Sequence, residues 1–80
     1  MKAFVKVKLK DGILDPQGEV IKSALKSIGF DGVNNVKHAK LIELDLDETD
    51  PSKAKENVCL MCEKLLANTV IESYFVEISQ

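Results

Sequence analysis

The chain contains no arginine and no tryptophan, and its aromatic residues number only four, three Phe and one Tyr. Bidentate grip on phosphate or guanine is mainly arginine's chemistry, so a basic complement made of 11 lysines argues against nucleic-acid binding. So few aromatics leave no platform on which bases would stack. Charge of one sign is also lacking: 11 basic against 13 acidic residues give a net charge of −2, with no run of five like charges to steer a polyanion. Long apolar stretches are missing too. The longest, Val58-Cys59-Leu60-Met61-Cys62, falls far short of the roughly 18 to 20 residues that cross a bilayer, and no basic, apolar leader precedes the first alternating segment. The expectation is a cytoplasmic protein with neither a membrane nor a nucleic acid as partner.

Groups for chemistry are as sparse. His38 is the single histidine, close to Lys37 and Lys40, with no motif that pairs it to a nucleophile or a second ligand, so it reads as a surface residue. Cys59 and Cys62 form C-x-x-C, which suits a redox pair or a soft-metal site. A redox pair, however, needs its first thiol at a helix N-terminus, and these two lie within a long helical pattern. A structural zinc site needs four ligands, and His38 is the only other obvious one. Both cysteines therefore read as small core residues. The acidic residues Glu43, Asp45, Asp47, Glu48 and Asp50 lack the glycine of a calcium-binding loop. Gly12, Gly18, Gly29 and Gly32 fit neither phosphate-loop pattern. No catalytic residue, metal site or cofactor is expected.

What is present is periodicity. Residues 3–10 alternate, with Ala3, Val5, Val7 and Leu9 on one face and Phe4, Lys6, Lys8 and Lys10 on the other, which predicts a half-buried strand. Asp15-Pro16 supplies a cap acceptor followed by proline at the first helical position. Val20, Ile21, Ala24, Leu25 and Ile28 then fall within an arc of about 140° on a helical wheel, and Gly29 is a natural stop. From Val33 to Asp47 the pattern is strand-like but too long for one strand. It divides near His38-Ala39-Lys40 into a hairpin, although no glycine marks the turn. Asp50-Pro51 starts a second helix, with Ala54, Val58, Met61, Cys62, Leu65 and Leu66 on its apolar arc. Leu60 projects from the polar side of that helix, either as a tolerated exposed residue or as a partner contact. Asn68 closes the helix, and Tyr74, Val76 and Ile78 alternate in a last strand.

The order β-α-β-β-α-β predicts one α+β domain over residues 1–80, a ferredoxin-like sandwich with an antiparallel sheet and two helices on one face. In that plan the first strand lies between the third and the fourth. Lys6 and Lys8 would then oppose Asp45 and Glu43, and Phe75 would come near Phe4. Phe4, Leu41 and Phe75 remain on the open face of the sheet, as tolerated singles or as an interface. Chains this small gain little from one core, and with no disulfide or metal expected, self-association through this face is the favoured reading. In the loop Asp15-Pro16-Gln17-Gly18, capping accounts for Asp15 and Pro16 but not for Gln17 or for a glycine inside the first helical turn, so the loop is also a candidate partner contact.

Three stretches resemble a known family: Gly12-Ile13-Leu14-Asp15-Pro16-Gln17-Gly18, Lys40-Leu41-Ile42-Glu43-Leu44, and Cys62-Glu63-Lys64-Leu65-Leu66-Ala67-Asn68-Thr69-Val70-Ile71-Glu72-Ser73-Tyr74. Together they are similar to PurS, the small subunit of phosphoribosylformylglycinamidine synthase, over nearly the whole chain. Asp11, Ala39 and Thr69 depart from the family's usual Pro, Gly and Pro. The resemblance implies a part in purine biosynthesis, within a complex whose large subunit performs ATP chemistry while a glutaminase subunit supplies ammonia. It implies an adaptor, a homodimer or dimer of dimers, that docks the glutaminase on the synthetase and supports ammonia transfer without activity of its own. The competing reading is a regulatory module that binds a small molecule such as an amino acid, and it rests on fold analogy alone.

Overall fold

The computed structural model describes residues 1–79. Strand β1 (Lys2–Leu9) occupies the centre of a three-stranded antiparallel sheet. It is flanked by β2 (Ala39–Asp45) and β3 (Glu72–Ser79), in the order β2-β1-β3. Alternation decides the faces: Ala3, Val5 and Val7 are almost wholly buried, and Ile42, Leu44, Tyr74, Val76 and Ile78 pack around them. Across this inner face lies helix α2 (Pro51–Met61), which contributes Ala54 and Val58 to the core. A π-helical turn, Cys62–Leu66, continues α2 and buries Cys62. Its closing bond runs from the Ala67 amide to the Cys62 carbonyl at 3.0 Å.

Helix α1 (Pro16–Ser27) begins and ends as its signals predict. The Asp15 side chain accepts from the Gly18 amide, Pro16 takes the first helical position, and Gly29 adopts a φ of 103° beyond the last turn. Its placement differs from the expected sandwich, for it does not lie on the sheet. Val20 and Ile28 are 68% and 69% exposed, Ile21 is exposed as well, and the only buried residue of α1 is Gly18.

The α+β class, the antiparallel sheet and the two helices stand. The order of the three strands also follows the ferredoxin-like plan, but the hairpin of residues 33–47 does not form. Only its second half, Ala39–Asp45, is a strand, and residues 33–38 run beside α1 without joining the sheet. Two backbone groups of that segment face the start of α1 instead. The His38 amide donates to the Asp15 carboxylate at 2.7 Å, and the Val36 carbonyl sits where a side chain at position 18 would be. Ala39 also lacks the φ freedom with which glycine would reverse the chain there.

Register on the outer face differs from expectation as well. Lys6 lies opposite Leu41 and Phe75, Lys8 opposite Ala39 and Ser73, and Phe4 opposite Glu43 and Glu77. The one strand-to-strand ion pair between β1 and β2 is Lys2 with Glu43, Nζ to Oε1 at 3.0 Å, and both partners are more than half exposed, so it adds little stability.

Candidate functional site

Asp15-Pro16-Gln17-Gly18 forms the cap and first turn of α1 and ties that helix to the segment before β2. Asp15 is the hub: Oδ1 accepts from the Gly18 amide at 2.9 Å and Oδ2 from the His38 amide at 2.7 Å. These two backbone donors favour the carboxylate and hold its pKa below the usual value, the Gly18 bond contributing most. Gly18 is buried because the Val36 carbonyl oxygen passes directly over it, and a Cβ at this position would overlap that oxygen. Close backbone approach therefore supplies the reason for this glycine that helix capping did not. Beside the loop, Lys37 pairs with Asp11 and lowers the Asp11 pKa. The Gln17 side chain makes no hydrogen bond among the described residues. It is exposed on the rim of a cleft of ≈ 420 Å³, together with His38, Lys40 and Glu72. Lys40 and Glu72 approach to 3.9 Å across that cleft.

The outer face of the sheet brings the three apolar candidates together. Leu41, Lys6 and Phe75 form one cross-strand row, and Phe4 sits in the next, between Glu43 and Glu77. Leu41 and Phe75 are each 62% exposed, while Phe4 is half-buried. Charge is polarised along this face, with Lys6 and Lys8 towards one end and Glu43, Glu77 and Asp45 towards the other. Lys2 is the exception, since it lies opposite Asp45 at the acidic end.

Leu60 is exposed on the side of α2 away from the sheet, beside Cys59 and Glu56 in an open groove of ≈ 680 Å³. The thiols take the packing role expected of them: Cys62 is fully buried, Cys59 is half-buried, and desolvation pushes the Cys62 pKa up. Among the described residues no group of three or more His, Cys, Asp or Glu is placed to hold a metal ion. No helix among them is long and apolar enough to cross a membrane. Periodicity did not flag the open face of α1 or Leu65, which is 83% exposed. An apolar arc looks the same whether its own sheet or another surface covers it.

Fold and surface together define a small α+β domain that leaves large apolar residues exposed on α1, α2 and the open side of the sheet. The model of the PurS family, phosphoribosylformylglycinamidine (FGAM) synthase, matches residues 2–80. The subunit PurS of that synthase from Synechocystis is 45% identical over 73 residues, covering 91% of this chain and 73% of the relative. The crystal structure of PurS from Methanocaldococcus jannaschii superimposes with a TM-score of 0.90 at 43% identity, covering 99% of this chain and 95% of that one. A chain of the PurLQS structure from Thermotoga maritima gives 0.85 at 33% identity, covering 95% and 93%. Agreement at this level over nearly every residue includes α1, so the outlying helix is shared by these solved chains. The chain belongs to the PurS family, the small subunits of phosphoribosylformylglycinamidine synthase in purine biosynthesis.

Proposed function

We propose that the chain is the non-catalytic adaptor of this synthase, docking the glutaminase subunit on the ATP-dependent synthetase subunit so that ammonia passes between them without loss to water. Family membership supports the setting. The observation that carries the adaptor role is the amount of large apolar surface an 80-residue chain leaves open: Leu14, Val20, Ile28, Leu65, Val70 and Phe75 are each more than 60% exposed. Large apolar surface left open on several faces supports docking rather than turnover. Leu60 on α2 and Gln17 beside Pro16 are the contacts assigned to the two larger subunits. Asp15 and Gly18 serve by shaping the loop that presents them. Cytoplasmic residence follows from a biosynthetic role and accords with two free thiols.

The outer sheet face is assigned to self-association. A two-fold axis across the strands would lay the Lys6 and Lys8 end of one copy over the Glu43 and Glu77 end of the other, with Phe4, Leu41 and Phe75 between them. Charge complementarity supports this pairing. The adaptor role is tested by size-exclusion chromatography of the synthetase and glutaminase with and without the chain. Co-elution of all three only when it is present is the expected result, and co-elution of the two larger subunits without it would contradict the role. The thermal response to free amino acids should be flat, whereas stabilisation would favour the small-molecule module.

A further inference from the structure

Packing accounts for Cys62 but not for the pair it forms with Cys59. Cys62 is fully buried in the core. Cys59 packs against that core on one side and lines the open groove on the other, beside Glu56, Leu60 and Glu63. One thiol of the C-x-x-C is thus reached from outside, and the other is not.

The backbone between them departs from a regular helix. The Cys62 amide divides its hydrogen bond between the Val58 carbonyl, the α-helical acceptor, and the Cys59 carbonyl, the acceptor of a 3₁₀ turn. Directly afterwards the ladder widens into the π-helical turn, where the Ala67 amide reaches back to the Cys62 carbonyl. A 3₁₀ contribution draws residues i and i+3 towards eclipse, so Cys59 and Cys62 come over one another on the same side of α2. Helix geometry puts their Cα atoms about 5 Å apart, within the range that a disulfide spans. Electrostatics place the sulphurs in one small region. Burial raises the Cys62 pKa first, and Cys59 and Glu63 add to it; burial, Glu63 and the two thiols raise that of Tyr74 on β3.

We infer that Cys59 and Cys62 form a reversible thiol–disulfide exchange site whose substrate is a small-molecule disulfide of the glutathione type. The Cys59 thiolate attacks one sulphur of that disulfide, whose S–S bond breaks, leaving a mixed disulfide on Cys59 and releasing one small thiol. The Cys62 sulphur then attacks the Cys59 sulphur, the mixed disulfide breaks, and the second small thiol departs. Two electrons pass from the protein dithiol to the small disulfide, and the protons lost by the two cysteines are taken up by the two departing thiolates. Burial and Glu63 disfavour the Cys62 thiolate, so the second step is the slower one and the mixed disulfide accumulates first. Closure also draws the Cys62 sulphur from its core packing, which makes the disulfide easy to reduce. Leu60 stands between the two cysteines, so closure resets the turn that carries a contact assigned to a larger subunit; this consequence, unlike the exchange itself, rests on the adaptor reading.

The test uses the full chain under native conditions. It is incubated with oxidised glutathione and quenched with acid, and remaining thiols are capped with N-ethylmaleimide in denaturant before mass spectrometry. The expected course is one glutathione adduct on Cys59, followed by an uncapped, adduct-free monomer that dithiothreitol returns to the dithiol. Cys62→Ala should stop at the Cys59 adduct, and Cys59→Ala should react at least about tenfold more slowly, with helical circular dichroism retained in both. The wild-type time course decides the matter if either variant unfolds. Two adducts per chain, a first adduct on Cys62, a lasting Cys59 adduct in the wild type, disulfide-linked chains, or no reaction would each overturn the site. The oxidised chain should co-elute with the synthetase and glutaminase less than the reduced chain does. Equal co-elution would overturn that consequence alone, whereas co-elution of the two larger subunits without any chain would overturn the adaptor reading instead.

Discussion

Position 18 shows how one residue can carry two opposed signals. A glycine inside a helix costs up to about 1 kcal/mol relative to alanine, so a free helix would be stabilised by Gly18→Ala. Here the added Cβ meets the Val36 carbonyl, and overpacking of this kind costs about 1–3 kcal/mol. The clash wins, and Gly18→Ala is expected to destabilise the chain by about 1–2 kcal/mol in chemical denaturation. Asp15 gives a pH signature. Its carboxyl is held below its ordinary value in the folded chain, so its contribution is complete above about pH 4, the unfolded value, and fades as pH falls through the lower folded value. Asp15→Asn should therefore lower the melting temperature near neutrality, and the gap from wild type should shrink towards pH 3. The capping role of Asp15 was legible from Asp-Pro alone, because capping is local. Its second bond, to His38 23 residues away, was not.

Among the elements, strands and helix starts were readable because they rest on period-two alternation and Asp-Pro caps, which act within a few residues. The failures all involve the partner a face packs against. Val33 and Val36 alternate poorly and lie three apart, the spacing of a segment leaning on a helix, and the segment meets the start of α1 through the His38 amide and the Val36 carbonyl in place of a ladder. On the second helix, regular spacing puts Leu65 in the core beside Val58. The π-helical turn at Cys62–Leu66 carries one extra residue into the last turn, so Cys62 and Ala67 are buried while Leu65 is exposed. Truncation should separate the two positions. Val58→Ala removes fully buried methyl groups and should cost about 1–3 kcal/mol, whereas Leu65→Ala should change stability by less than about 0.5 kcal/mol in the same urea titration. Equal losses at both sites would show that the helix continues with ordinary spacing.

At the scale of the whole molecule, the family was legible because its motifs lie in loops and helix ends, where capping and close approach constrain residue type: the D-P-Q-G turn and the stretch from Leu65 to Tyr74. Neither the elongated shape nor the surfaces that meet other chains could be read the same way. An apolar arc records that a face is covered and not by what. The 48 × 26 × 14 Å outline, with α1 at one end and apolar residues on both sides of the sheet, suits a chain that works by holding others together. The most direct check is the reconstituted reaction. Synthetase and glutaminase are assayed with and without this chain for glutamine-dependent formation of formylglycinamidine ribonucleotide, and for the same reaction fed with free ammonia. The adaptor account predicts that omitting the chain abolishes or strongly reduces the glutamine-dependent rate, that the ammonia-fed rate depends on the chain far less, and that the chain alone neither hydrolyses ATP nor releases ammonia from glutamine. Equal glutamine-dependent turnover in the two mixtures would contradict it.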